Sequence, residues 1–192
     1  VDYISSCSKE FPAGMSMIIH IVNPTKVRLM SSLDQERRRE VLFTTNAETS
    51  EFSFDHWYDQ ERFMIGIQAN FQPNADLEAV MKLAGNIEKK NRQTFSDDGR
   101  TQVATMTVAS KADVIVPNPV ELIPYRTFVE VQQPASKFVF RINDGGNEPV
   151  FKLIEAEGGL WKNEAIANIK QYFSEALEKM PHPIKDRITI IG

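Results

Sequence analysis

The stretch YRTFVEVQQPASKFVFRI, residues 125–142, decides the fold class, because it predicts two β-strands that fold back on each other. Apolar and polar residues alternate with a period of two on both sides of QQPA, which is the pattern of half-buried strands. Taking QQPA as the loop pairs Val129 with Phe138 and gives the hairpin one apolar face. The same register places Phe151 on the apolar face of a third strand, 150–156, so the sequence predicts an antiparallel meander.

The opposite face of this predicted meander carries cations with apolar residues between them. The candidate binding residues on this face are Arg126, Phe128, Lys137, Arg141 and Lys152. Several folds hold single-stranded nucleic acid with cationic and aromatic side chains on an open sheet. The alternative is a solvated face on which long cationic side chains lie along apolar neighbours. The net charge of −4 and the lone aromatic residue favour the solvated face.

Two segments outside the meander have the apolar spacing of amphipathic helices. In the first, residues 76–91, Asn74 or Asp76 is suited to cap the amino-terminal end. In the second, a continuous apolar stripe runs from Trp161 to Met180.

Further strands are predicted on both sides of the first helix. They cover 16–22, 26–32, 40–45, 61–71 and the last residues, 187–192, with a hairpin around Asp98-Gly99 and an extended connector at 116–124. The sequence therefore predicts an α+β fold, an antiparallel β-sheet with two long amphipathic helices packed on one face. Its length of 192 residues predicts a single domain, 1–192, with 1–14 irregular.

Composition narrows the class of protein. With 42% hydrophobic and 25% charged residues, the chain has the composition of a soluble globular protein. No apolar run reaches the roughly 20 residues of a membrane helix, so no membrane partner is predicted. Cys7 is the only cysteine, which excludes an internal disulfide and fits the reducing cytoplasm.

Catalytic motifs are missing from the sequence. It contains no Gly-rich phosphate loop, H-E-x-x-H, G-x-S-x-G or Cys/His ligand spacing, so no catalytic residue and no cofactor is predicted. The weak candidates for a metal site are Asp55, His56, Asp59 and Glu61. Their oxygens and imidazole suit a divalent cation or an acid–base pair, and the alternative is an exposed charge cluster in a polar loop.

Three stretches resemble a known family: DLEAVMKLAGNIE (76–88), VPNPVELIPYRTFVEVQQPASKFVFRI (116–142) and IEAEGGLWKNEAIANIKQYF (154–173). They are similar to an uncharacterised protein family of tailed phages and prophages, of which the YfdQ-like proteins are a more distant branch. The resemblance implies a phage-derived protein in the cytoplasm of an infected or lysogenic bacterium. It also implies that the native protein has further residues before Val1. It implies no activity.

Three hypotheses for the function follow. The first is a non-enzymatic phage protein that forms homo-oligomers and engages a host or phage protein. The second is a single-stranded nucleic-acid-binding accessory protein of phage recombination or replication, a hypothesis that the acidic net charge does not favour. The third is a metal-dependent enzyme. Oligomeric state, salt-dependent binding of single-stranded DNA and metal content distinguish them.

Overall fold

The computed structural model describes residues 1–7, 9, 11–12, 14–49, 52–87, 95–97, 101–104, 114–144 and 148–192. The helices of this part are α1 (Asp2–Ser6), α2 (Gln60–Asn70), α3 (Ala75–Asn86), α4 (Trp161–Glu178) and α5 (His182–Lys185). The strands are β1 (Met17–Asn23), β2 (Lys26–Ser31), β3 (Val41–Asn46), β4 (Tyr58–Asp59), β5 (Phe71–Gln72), β6 (Phe95–Asp97), β7 (Thr101–Ala104), β8 (Val114–Pro117), β9 (Val120–Pro124), β10 (Ser136–Asp144), β11 (Pro149–Glu155) and β12 (Ile188–Ile191). These helices and mainly antiparallel strands confirm the α+β class.

The chain divides into two compact units. Unit 1 comprises Val1–Thr49, Arg126–Gln133 and Lys162–Gly192, and unit 2 comprises Ser50–Tyr125 and Pro134–Trp161. The two predicted amphipathic helices correspond to α3 in unit 2 and α4, almost all of which lies in unit 1. Their packing on one face of one sheet is therefore not confirmed, and a single domain over 1–192 stays a prediction.

Unit 1 contains a four-stranded sheet in the order β12-β1-β2-β3. The pairs β1–β2 and β2–β3 are antiparallel, whereas β1 and β12 are parallel. Met17, Ile19 and Ile21 of β1 alternate into a core that also contains Ile169 and Leu177 of α4. This sheet confirms the strands predicted at 16–22, 26–32 and 40–45 and at the last residues. At the start of the chain, the short helix α1 forms where the sequence predicted irregular structure.

Unit 2 contains a five-stranded sheet in the order β4-β11-β10-β9-β5 and a three-stranded sheet in the order β6-β7-β8. In the larger sheet, Phe140 lies opposite Leu153 and Ile142 opposite Phe151. The sequence predicted these faces for the second and third strands of the meander. The two members of each pair lie on the same face, and all four side chains are buried in the core of unit 2.

The strand predicted at 125–131 is wrong. Residues 126–135 are irregular, and β10 pairs with β9, so that Phe138 lies opposite Val120. The buried Gln133 explains this difference, because its Oε1 accepts hydrogen bonds from the backbone N–H groups of Arg126 and Thr127 at 3.0 and 3.2 Å. Its Nε2 also donates to the carbonyl oxygen of Phe128 at 2.8 Å. The Gln133 side chain thus satisfies backbone N–H and C=O groups that, in a β-strand, would form hydrogen bonds with the neighbouring strand.

The extended connector predicted at 116–124 is two strands, β8 and β9, on either side of the Asn118-Pro119 bond. The Asp98-Gly99 turn lies outside the described residues. The strands that flank it, β6 and β7, pair as a hairpin, with Asp97 opposite Gln102.

The strand predicted at 61–71 is also wrong, because this segment is the helix α2. Asp59 caps the helix by accepting a hydrogen bond from the backbone N–H of Arg62 at 2.8 Å. Phe63 and Ile67, four residues apart, are buried, whereas Ile65 between them is 59% exposed. Burial follows the period of a helix rather than the period of two that the apolar residues also satisfy.

Asn74 connects α3 to β9 and is expected to stabilise unit 2. Its Oδ1 accepts from the backbone N–H of Leu77 at 2.8 Å, and its Nδ2 donates to the carbonyl oxygen of Glu121 at 2.7 Å. We expect Asn74→Ala to lower the free energy of unfolding in urea by about 1–2 kcal/mol. Asn86→Ala, at the exposed end of the same helix, is the control and should change it by about 0.5 kcal/mol or less. Equal effects of the two substitutions would contradict the capping role.

Candidate functional site

The candidate binding face predicted from the meander is not one surface of neighbouring strands. It comprises Arg126, Phe128, Lys137, Arg141 and Lys152. Lys137, Arg141 and Lys152 do lie on β10 and β11 of unit 2, where Arg141 is opposite Lys152. Arg126 and Phe128 instead belong to the irregular segment of unit 1, where Phe128 packs against the hydrophobic core.

Acidic and aromatic neighbours engage two of the cations on the unit 2 sheet. Lys152 Nζ lies 2.7 Å from Asp55 Oδ1 and 4.8 Å from the ring centroid of Trp57. Lys137 Nζ lies 3.7 Å from a carboxylate oxygen of Glu157. These contacts reduce the positive charge that the face offers to a phosphate backbone. Binding of nucleic acid by this face stays a prediction.

The weak metal-site candidates do not converge on one point. They are Asp55, His56, Asp59 and Glu61. The Asp55 carboxylate pairs with Lys152, and the Asp59 carboxylate caps α2 through the backbone N–H of Arg62. Among the residues that the structure describes, no group of three or more His, Cys, Asp and Glu side chains is placed to hold a metal ion. The two aspartates therefore have structural contacts in the loop and at the helix start.

Unit 1 contains a cavity of about 280 Å³ that the sequence did not reveal. Its lining comes from α1, the first three strands, the 126–133 segment and α4. Ile19 lies opposite Leu29, and Leu29 lies opposite Phe43, so these three side chains share the core face of the sheet and form one wall. Ile169 and Tyr172 of α4 line the cavity as well.

Aromatic side chains and hydroxyl groups give the cavity its chemical character. The rings of Tyr3 and Phe43 stack with centroids 4.9 Å apart and planes 21° from parallel. Within the described part of the chain, the hydroxyl groups of Tyr3, Thr45 and Tyr172 have no hydrogen-bond partner in the protein. All three side chains are half-buried, so water satisfies them when the cavity holds nothing else.

Three charged residues also contribute to the lining. Asp2 and Glu130 are exposed acidic residues. Arg28 lies between the buried residues Val27 and Leu29 of β2, and the alternation of a strand directs its side chain to the opposite face of the sheet. The cavity is therefore apolar inside, with acidic side chains near its exposed parts.

The face of the unit 1 sheet opposite its core is the second candidate surface, and we call it the outer face. Met30 lies opposite Ile18 on one side and Val41 on the other, so these three apolar residues form a row across three strands. Val41 is 51% exposed, and Ile191 at the other edge is 41% exposed. The sheet thus carries apolar side chains on both faces. The hydrophobic core needs them on one face only, so the apolar residues of the outer face indicate a second contact surface.

One edge of this sheet is formed by β3, whose only pairing partner among the described strands is β2. An edge strand presents backbone N–H and C=O groups that are available to a strand of another chain. In the part of the chain that the structure describes, no helix has the length and apolarity required to cross a membrane. Comparisons of the chain with protein-family models, curated proteins and solved structures find no match.

Proposed function

We propose that the protein is a non-enzymatic binding protein that forms homo-oligomers and engages a protein of a phage or of its bacterial host. The observation that carries this proposal is the outer face of unit 1, where Ile18, Met30 and Val41 form an apolar row beside an edge strand. Val41 is exposed, and Ile18 and Met30 are half-buried, so the row offers contiguous, partly exposed apolar surface, which is typical of protein interfaces. The phage setting and the bacterial cytoplasm rest on the family resemblance of the three sequence stretches.

The nearby charges favour a protein partner over nucleic acid. Lys26, Arg28 and His20 also lie on the outer face, because they occupy the same alternate positions as Met30 and Ile18. They lie on one side of an apolar row rather than among aromatic rings, and base stacking needs such rings. Apolar residues with charged residues at their margin are the usual composition of a protein–protein interface.

The oligomeric state tests the proposal. We expect the wild-type protein at micromolar concentration to have more than the molar mass of one chain in size-exclusion chromatography with light scattering. The double substitution Val41→Lys and Ile191→Lys should shift it to the monomer, because two cations are placed on the apolar outer face. The variant should keep the circular dichroism spectrum of the parent and a cooperative melting transition, since both side chains are exposed in the single chain.

A matched control adds the same charge elsewhere in unit 1. Ala167→Lys and Ser174→Lys change two exposed positions of α4 and should leave the molar mass unchanged. A strictly monomeric wild-type protein would remove the homo-oligomer from the proposal. A double variant at Val41 and Ile191 that keeps the wild-type mass would show that the outer face is not the interface.

A further inference from the structure

We propose that the cavity of unit 1 binds a small, uncharged organic molecule that consists of an aromatic ring system with a hydrogen-bonding substituent. This site lies on the core side of the sheet and does not depend on the outer face or on the oligomeric state. This small-molecule site is a second function of unit 1, in addition to the protein binding proposed for its outer face.

The size of the cavity selects a small molecule over a peptide. Its volume of about 280 Å³ lies at the lower limit of the ligand pockets of proteins, which hold roughly 300–1,000 Å³. The walls come from α1, three strands, α4 and the 126–133 segment. Gln133 fixes the 126–133 segment through hydrogen bonds to Arg126, Thr127 and Phe128. The walls are therefore formed without a ligand, which lowers the entropic cost of binding.

The side chains of the cavity select the chemistry of the ligand. The stacked Tyr3 and Phe43 rings offer flat apolar surface, against which an aromatic ring packs favourably. The hydroxyl groups of Tyr3, Thr45 and Tyr172 are each able to donate or accept one hydrogen bond in place of water. The apolar interior makes the desolvation of a charged ligand costly, and the exposed carboxylates of Asp2 and Glu130 also repel an anion, so a neutral ligand is favoured.

Calorimetric titration with three probes tests the ligand class. The probes are 1-naphthol, which is neutral and carries one hydroxyl group, naphthalene, which lacks it, and 1-naphthoate, which is an anion at pH 7. We expect 1-naphthol to bind most tightly, naphthalene more weakly, and 1-naphthoate at least about tenfold more weakly than 1-naphthol. Absence of 1-naphthol binding at millimolar concentration would overturn the site. Equal binding of 1-naphthoate and 1-naphthol would overturn the assigned ligand class.

Two adjacent positions of β3 provide a matched pair of variants that locates the site. Thr45 lies opposite Val27 on the core face, whereas Thr44 lies opposite Arg28 on the outer face. Thr45→Trp fills the cavity and should weaken 1-naphthol binding by at least about tenfold, whereas Thr44→Trp should leave it within about twofold of the wild type. Equal affinities of the two variants would place the bound probe outside the cavity.

A measurement on the wild-type protein makes the test independent of whether Thr45→Trp folds. In NMR titration with 1-naphthol, the backbone amide signals of Thr45, Ile169 and Tyr172 should shift together and saturate with one dissociation constant. Shifts confined to residues that do not line the cavity would overturn the proposal even if the probe binds. A monomeric protein that still binds 1-naphthol would refute the oligomer of the proposed function and leave this site intact.

Discussion

Ile169→Asp is expected to abolish the cooperative folding of unit 1. Ile169 is 1% exposed and belongs to the core cluster that joins α4 to Met17, Ile19 and Leu29 of the sheet. The substitution removes a large apolar side chain and places a carboxylate where no cation is available within that cluster. We expect a loss of more than about 4 kcal/mol, which is a large part of the 5–15 kcal/mol of a typical domain.

Thermal and urea denaturation followed by circular dichroism measure this loss. Ala167→Asp is the matched control, because it introduces the same carboxylate two residues away at an exposed position of the same helix. It should cost about 1 kcal/mol or less, mainly through the lower helix propensity of Asp. If the two variants melted alike, α4 would not be packed on the sheet through Ile169.

Phe140→Ser is expected to have a comparable effect on unit 2. The Phe140 ring is fully buried and stacks with the rings of Phe63 and Phe151 at centroid distances of 5.8 and 6.3 Å. Replacing a buried Phe by a small residue costs about 3–5 kcal/mol, and a buried hydroxyl group without a partner adds to this cost. The free energy of unfolding in urea should fall by at least that amount.

Lys137→Ser, three residues earlier on the same strand, is the control for this prediction. Lys137 is exposed, and its 3.7 Å ion pair with Glu157 is a surface contact. Exposed ion pairs contribute little, so the free energy of unfolding should change by about 0.5 kcal/mol or less. The reverse order of effects would mean that β10 is shifted by one residue and buries its charged side.

The buried faces of β10 and β11 were predictable because both strands alternate over their whole length. Once Phe140 is assigned to the buried face, a one-residue shift of the partner would bury Lys152 and expose Leu153. The hydrophobic effect therefore decides from the sequence which face of each strand is buried, and it excludes a register that is shifted by one residue. The segment before β10 offered the same alternation, but its backbone groups bond to the side chain of Gln133 instead. Periodicity does not report such a side-chain bond.

The helix α2 shows a second limit of periodicity. The apolar residues Phe63, Ile65 and Ile67 satisfy a period of two, while Phe63 and Ile67 alone satisfy the period of a helix. Asp59, directly before this segment, was the signal that distinguishes a helix from a strand. Asp is a preferred residue at the start of a helix, where its side chain accepts a hydrogen bond from a backbone N–H of the first turn.

The two candidate surfaces of unit 1 escaped prediction for different reasons. The cavity needs α1, the first three strands, the 126–133 segment and α4 in one place, and no local pattern specifies that arrangement. The outer face did leave a signal, since Ile18 and Met30 are apolar at positions where the alternation of their strands calls for polar residues.

The pairing of β1 with β12 makes the unit 1 sheet depend on a contact between segments that are far apart in the chain. Met17 lies opposite Ile188, so this contact closes nearly the whole chain into one loop, and such long-range contacts form slowly. Every residue of unit 2 has been synthesised before Lys162 appears, whereas the unit 1 sheet waits for its last strand. During that interval β1 presents an open edge to other nascent chains, which is a typical starting point for aggregation.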